Sequence, residues 1–118
     1  MSQRGDVILV EIPYAINGGS KQRPAVVVQC DRLNKKLVST IVAAITTNLK
    51  RVATEPTQLL IDPSTLDGQS SGLPQPSAVK CENLFTVSQK RVRKTLGHLS
   101  DALRTKLDAC LKAALDLP

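Results

Sequence analysis

Apolar residues fall mostly in short β-type runs along this chain, and one late stretch carries helical spacing. Residues 7–12 (Val-Ile-Leu-Val-Glu-Ile) predict a first strand, closed by Pro13. A polar loop over 15–22 follows. Residues 24–29 predict a second strand, whose unbroken valines imply burial on both faces. Residues 31–36 read as a polar turn. A third strand is predicted over 38–45, rich in β-branched residues. A polar, basic loop over 46–51 and a short fourth strand over 57–61 come next. The stretch 62–76 is rich in Pro, Ser, Gly and Asp and reads as a long connection, since core-like strands flank it. Residues 77–82 alternate as a fifth strand. Ser88 is placed to cap a helical turn over 89–92, and 95–99 predict a sixth strand.

Ser100 and Asp101 open the predicted C-terminal helix, the first as a cap and the second as an acid at the positive end of the dipole. Leu103, Leu107, Cys110, Leu111 and Ala114 share one face at helical spacing. Such a helix covers an open side of the sheet. Many short strands and one late helix predict a mainly β fold with a C-terminal α-helix, built as a small, strongly bent barrel or sandwich. Strands and helices do not alternate, and no P-loop or Gly-rich fingerprint is present, which disfavours a doubly wound nucleotide-binding sheet.

At 118 residues and 42% hydrophobic content, one domain spanning 1–118 with one core is expected. No run approaches the roughly 18 apolar residues of a membrane span. The first residues lack a signal-peptide stretch, so a cytoplasmic location and no membrane partner are expected. The formal charge of +6 suits a nucleic acid or an acidic protein partner. Basic residues gather at Lys35-Lys36, at Lys50-Arg51 and along 90–94. Tyr14 and Phe85 are the two aromatics, which argues against a broad stacking platform for bases. Cys30, Cys81 and Cys110 show no metal-ligand spacing and are expected to be buried structural thiols. His98, the single histidine, falls in a strand and is expected to be structural. No metal site and no cofactor are expected.

Arg23 stands where the flexible Gly18-Gly19-Ser20-Lys21-Gln22 segment meets Pro24 and the valine strand. Pro24 pushes Arg23 toward an extended conformation. A guanidinium fixed in this way can grip a phosphate or a carboxylate. Thr46 follows the third strand. If strands two and three pair antiparallel, Arg23 and Thr46 meet at one end of the sheet. Such a pair suits phosphoryl chemistry, with Arg23 neutralising developing charge and Thr46 donating to a second oxygen. In RNA the 2′-OH is itself a nucleophile, so the protein need not supply one. Arginine is a poor general base at neutral pH. That leaves Asp62, Asp67 and Glu82 as carboxylates able to help with the proton.

Several motifs occur in order and together span nearly the whole chain. They are Arg4-Gly5-Asp6-Val7, then Gln22-Arg23-Pro24-Ala25-Val26-Val27-Val28, then Ala43-Ala44-Ile45-Thr46-Thr47-Asn48. Gly72-Leu73-Pro74 follows, with Ser77-Ala78-Val79, Cys81-Glu82-Asn83 and the stretch from Thr86 to Ser100. In these the chain resembles the MazF/PemK family of toxin endoribonucleases of type II toxin-antitoxin systems. The resemblance implies a small SH3-like barrel of the MazF/PemK/CcdB type, a homodimer, and sequence-specific cleavage of single-stranded RNA, typically mRNA, without metal. The implied route is attack by the 2′-OH, giving a 2′,3′-cyclic phosphate and a 5′-OH.

By the same resemblance Arg23 acts in proton transfer and charge stabilisation, and Thr46 holds the scissile phosphate. Ser20, Gln22, Glu82 and Asn83 match positions that contact or lie near RNA in the family, and the neighbouring polar and basic residues Lys21, Thr47, Asn48, Lys50 and Arg51 are further candidate RNA contacts. The implied protein partner is an antitoxin with an acidic, disordered tail. The chain departs from the family pattern in a shorter loop before Arg23, in Lys21 where an acid is frequent, and in Asn83 for Gln. Two other classes stand beside the enzyme: a barrel toxin that binds a protein such as DNA gyrase, and a non-catalytic SH3-like adaptor. Relatives of the gyrase-binding kind lack the Arg-Pro plus Thr pair.

Overall fold

In the computed structural model, which describes residues 1–13 and 18–118, six strands form one antiparallel sheet. The elements are β1 (Asp6–Pro13), β2 (Ser20–Val27), α1 (Asp31–Lys36), β3 (Ser39–Thr46), β4 (Gln58–Ile61), β5 (Ser77–Ser88), β6 (Val92–His98) and α2 (Asp101–Leu115). The spatial order is β4-β5-β3-β2-β1-β6. The mainly β architecture with a C-terminal helix is as expected. The sheet is not closed, because β4 and β6 are its two edges. β4 is only four residues long, and short edge strands offer little template for stray pairing. At the other edge the connection from β4 docks against β6, where Ser70 Oγ donates to the His98 carbonyl at 2.9 Å. A Cβ at Gly72 would run into the Leu96 carbonyl, and Gly72 has φ +73°, so glycine is required twice over there.

Side-chain alternation splits the core into two layers. On one face Val7, Val26, Ala43, Ile45, Leu59 and Val79 pack beneath Leu103, Leu107 and Cys110 of α2. On the other face Ile8, Val10, Ala25, Val27, Val42 and Val87 form a smaller cluster with Ile12 and Phe85 against it. The valines of β2 are therefore buried on both sides. Ser100 caps α2 by accepting the Leu103 N–H at 3.2 Å, and Ser88 caps its helical turn by accepting the Lys90 N–H at 3.3 Å. Among the described residues no helix is long and apolar enough to cross a membrane.

Several boundaries differ from the sequence expectation. The polar residues 20–22 are strand rather than loop and run on into Arg23, because β1 supplies a partner for each of them, with Glu11 opposite Gln22 and Val10 opposite Arg23. The part of the expected loop at 15–17, and Tyr14, lie outside the described residues. The expected turn at 31–36 is helix α1. Its Asn34 is buried and fully engaged: it donates to the Gln29 carbonyl at 3.0 Å and accepts from Gln29 Nε2 at 2.9 Å and Thr40 Oγ1 at 2.8 Å. This tertiary polar knot overrides a local turn signal. β5 continues through Ser88 instead of stopping at Glu82. Its register against β3 jumps from Lys80 opposite Ala44 to Leu84 opposite Ala43, so residues 81–83 bulge out of the ladder. Cys81 and Cys110 are buried thiols, but Cys30 is exposed at the start of α1. Burial pushes the Cys81 thiol up to about 12, with Cys110 and the Glu82 charge acting the same way.

Candidate active site

β2 and β3 pair antiparallel with Ala25 opposite Ala44 and Val27 opposite Val42. Extending that register outward sets Arg23 across from Thr46. Val26 and Ile45 belong to the α2-side core, so alternation sends Arg23 and Thr46 to the opposite face. The paired register ends at Ala25 and Ala44, and there a cleft of about 260 Å³ opens, lined by Arg23, Thr46, Lys80, Asn83 and Phe85. The hairpin assumed from the sequence is present, and it brings the two residues to one cleft.

Arg23 is exposed and makes no ion pair among the described residues. It sits inside β2 rather than at a loop junction, which holds its backbone in a ladder. Thr46 is the last residue of β3 and is half-buried. Its Oγ1 accepts the Asn48 N–H at 3.1 Å, and Asn48 Oδ1 in turn accepts the Lys50 N–H at 3.1 Å. These two local turns fix both side chains and leave the Thr46 hydroxyl proton and the Asn48 amide N–H groups as donors.

A second, smaller cavity of about 80 Å³ shares Thr46 and Lys80 and adds Asn48, Arg51 and Gln58. Arg51 is mostly exposed and reaches Glu55 at 3.2 Å. Glu82, in the β5 bulge, accepts from Gln58 Nε2 at 2.8 Å. Partial burial of Glu82 is the largest single influence on its pKa and opposes ionisation. Hydrogen bonds led by that from Gln58, with the nearby Lys80 charge, together outweigh it and hold the carboxyl below its usual range. Glu82 is therefore a carboxylate at neutral pH.

Of the residues expected at the site, the fold brings Arg23, Thr46 and Asn83 to the larger cleft and Thr46, Asn48 and Arg51 to the smaller cavity. Glu82 reaches the smaller cavity through Gln58. Ser20, Lys21, Gln22, Thr47 and Lys50 line neither. Asp62 and Asp67 are removed from Arg23. They line a different cavity, between β4 and α2, and Asp62 is a turn residue accepting from the Ser64 backbone and hydroxyl. Sequence reasoning missed Lys80 and Gln58. Lys80 is the one charged position in the apolar run from Ser77 to Cys81, and that break in the pattern was the available signal. Gln58 gave none.

The arrangement presents one unpaired guanidinium, one ammonium, a hydroxyl donor and amide donors on a single open surface. That set matches a phosphate and the charge it gathers during substitution at phosphorus. Among the described residues no group of three or more His, Cys, Asp or Glu is placed to hold a metal ion.

Residues 3–115 match the family model described as PemK-like, MazF-like toxin of type II toxin-antitoxin system. The chain is 31% identical over 118 residues to Endoribonuclease EndoA of Bacillus subtilis (strain 168), covering 98% of this chain and 95% of that protein. In fold it is similar to an endoribonuclease in complex with its cognate antitoxin from Mycobacterial species. That match has a TM-score of 0.80 and 23% identity, and covers 100% of this chain and 98% of the other. It is also similar to a MazE-MazF structure from Deinococcus radiodurans, with a TM-score of 0.77, 14% identity, and coverage of 99% and 98%.

Proposed function

The chain belongs to the PemK-like, MazF-like toxin family of type II toxin-antitoxin systems, and from that membership we propose that it is an endoribonuclease that cuts single-stranded RNA without a metal cofactor. The observation that carries the proposal is the convergence of Arg23 and Thr46 on one cleft. In the proposed step the substrate's O2′ bonds to phosphorus as the P–O5′ bond breaks. O2′ loses a proton and O5′ gains one, so the products are a 2′,3′-cyclic phosphate and a 5′-OH. Arg23 neutralises the charge on the phosphoryl oxygens and takes part in proton transfer. The Thr46 hydroxyl donates to a phosphoryl oxygen while its own oxygen is held by the Asn48 N–H. Asn83, Asn48 and Arg51 contact the flanking nucleotides. Exposed Ser20, Lys21, Gln22, Thr47 and Lys50 supply outer contacts.

Residues 1–118 act as one domain in this reading, located in the cytoplasm and paired as a homodimer. The protein partner is an antitoxin whose acidic segment lies over the cationic cleft. The formal charge of +6 favours such a partner.

Incubation of the full chain with a long single-stranded RNA in excess EDTA tests the proposal, with Arg23→Ala and Thr46→Ala alongside. Site-specific cuts ending in cyclic phosphate are expected from the wild type and not from either folded variant. Loss of cutting in EDTA, or normal cutting by both variants, overturns it. Circular dichroism of the variants guards against misfolding.

A further inference from the structure

Lys80 is half-buried in β5 and forms no ion pair among the described residues. Its backbone lies opposite Ala44 of β3. Val79, next to it, belongs to the α2-side core, so alternation sends Lys80 to the open face with Arg23 and Thr46. β3 runs between β5 and β2. Thr46 therefore ends a strand that has a cation on each neighbour, Arg23 on β2 and Lys80 on β5. The outer two strands are two spacings apart, roughly 10 Å, a gap that two long side chains close from opposite sides. Ala44 lies between them and has no side chain beyond Cβ to fill it. Arg23, Thr46 and Lys80 accordingly line one cleft. The Glu82 carboxylate, close enough to feel the Lys80 charge, is held by Gln58 Nε2 at 2.8 Å instead. A partly buried ammonium without a carboxylate partner forgoes both water and a counter-charge, and an anionic ligand restores the second.

We propose that Lys80 is a further catalytic residue, a second cation on the scissile phosphate that meets the charge added in the transition state. The inference rests on the ribonuclease reading above and extends its site from one cation to two. A phosphodiester carries one negative charge, which Arg23 alone balances. Once O2′ has given up its proton and bonds to phosphorus, and before O5′ has gained one, the charge around phosphorus rises toward two. An ammonium on the far side of Thr46 from Arg23 meets that second charge. A preplaced cation raises the rate most where the charge it meets appears only in the transition state. Lys80 forms no covalent bond and gives up no proton in this role, so the proton balance between O2′ and O5′ is unchanged. Lys80 also borders the smaller cavity with Arg51. Spent there on a neighbouring phosphate, its charge would strengthen binding and leave the rate alone, so rate and affinity must be measured separately.

Single-turnover cutting of one RNA site by the full chain in excess EDTA tests the role, beside binding of the same RNA with a 2′-deoxy sugar at that site. The deoxy RNA binds but lacks the nucleophile. Lys80→Met keeps the length of the side chain and removes its charge. Its single-turnover rate is expected to fall roughly 10–100-fold, and its affinity for the deoxy RNA by no more than about threefold. Lys80→Arg, which restores a cation able to bind phosphate, should recover most of the rate. Lys80→Gln repeats the charge removal if circular dichroism shows Lys80→Met misfolded. Cutting by the neutral variants at the wild-type rate overturns the proposal. So does a rate loss matched by an equal loss of affinity, which would place Lys80 on the neighbouring phosphate, or a loss that Lys80→Arg shares in full. Each of these outcomes leaves wild-type cutting, and with it the ribonuclease reading, intact. No cutting by the wild type overturns that reading and this inference together.

Discussion

The two faces of the sheet are built from the same strands yet do different work. Beneath α2, residues such as Val26, Ile45 and Val79 are sealed under Leu103 and Leu107. One residue along on each strand, the opposite face carries Ala25, Ala44 and Lys80, and beyond them Arg23 and Thr46. The α2 helix does not cover this side, and its apolar cluster gives way to polar groups where the β2–β3 register ends. Both faces carry buried core, but chemistry gathers only where the second face opens, and the period-2 alternation of strands keeps the α2-side core apart from it. Substitutions under α2 should therefore change folding, and those at the exposed end of the other face, at Arg23 and Thr46, should change reactivity.

The largest effect that could break this division lies in the helix. Leu107 is fully buried at the centre of the α2 seam. Leu107→Ala removes apolar contacts and leaves a cavity, so chemical denaturation should show about 2–5 kcal/mol of lost stability. RNA cutting by the fraction still folded should be unchanged. A variant as stable as wild type would mean that α2 does not seal the core. Next comes Arg23→Ala. The exposed guanidinium packs against little, so the denaturation midpoint should stay near that of wild type, while the cutting rate falls roughly 10²–10³-fold. A variant that unfolds would show that the open face is structural after all.

These tests turn on residues that the sequence disclosed unequally. The α2 seam was fully readable, because Leu103, Leu107 and Cys110 recur at helical spacing and Ser100 precedes them as a cap. The strands of β1, β3 and β4 were readable from β-branched runs. Residues 20–22 were not readable as strand, because their polarity mimics a loop and only pairing with β1 holds them extended. The α1 helix was hidden for a similar reason: it depends on Asn34 reaching Gln29 and Thr40, contacts that no local pattern announces. At the site, Arg23 and Thr46 followed from one assumed hairpin. Lys80 and Gln58 required the β4–β5 pairing that sets them opposite each other. Glu82 was named as a contact, but its hold on Gln58 depends on the bulge at 81–83, a feature of register rather than composition.

A smaller effect sharpens the picture of the open face. Thr46→Val keeps the β-branched shape at the end of β3 and removes only the hydroxyl. The strand should persist, and stability should fall by about 1 kcal/mol or less, for the lost bond to the Asn48 N–H. The cutting rate should drop roughly tenfold to a hundredfold, less than for Arg23→Ala, because a neutral donor stabilises charge less than a guanidinium does. Single-turnover kinetics on one RNA site would resolve the order of the two variants. The reverse order would assign the main electrostatic role to Thr46 and its turn rather than to Arg23.

The smallest expected effect lies on the rim of the covered face. Arg4 donates to Asp108 of α2 at 2.7 Å and also to the Val28 carbonyl at 3.0 Å. The pair looks like a clasp between the N-terminal segment and the helix. Asp108 is half exposed, however, and a solvated pair gains little after screening and side-chain ordering. Asp108→Asn should therefore cost no more than about 1 kcal/mol in denaturant unfolding, with most of that difference gone at high salt. The Arg4 bond to Val28 should survive, because it needs no carboxylate. A cost approaching that of Leu107→Ala would mean that the helix is clamped by charge rather than seated by its apolar seam. A cost within error of zero, with RNA cutting unchanged, would leave the buried leucines as the whole of what holds α2 to the sheet.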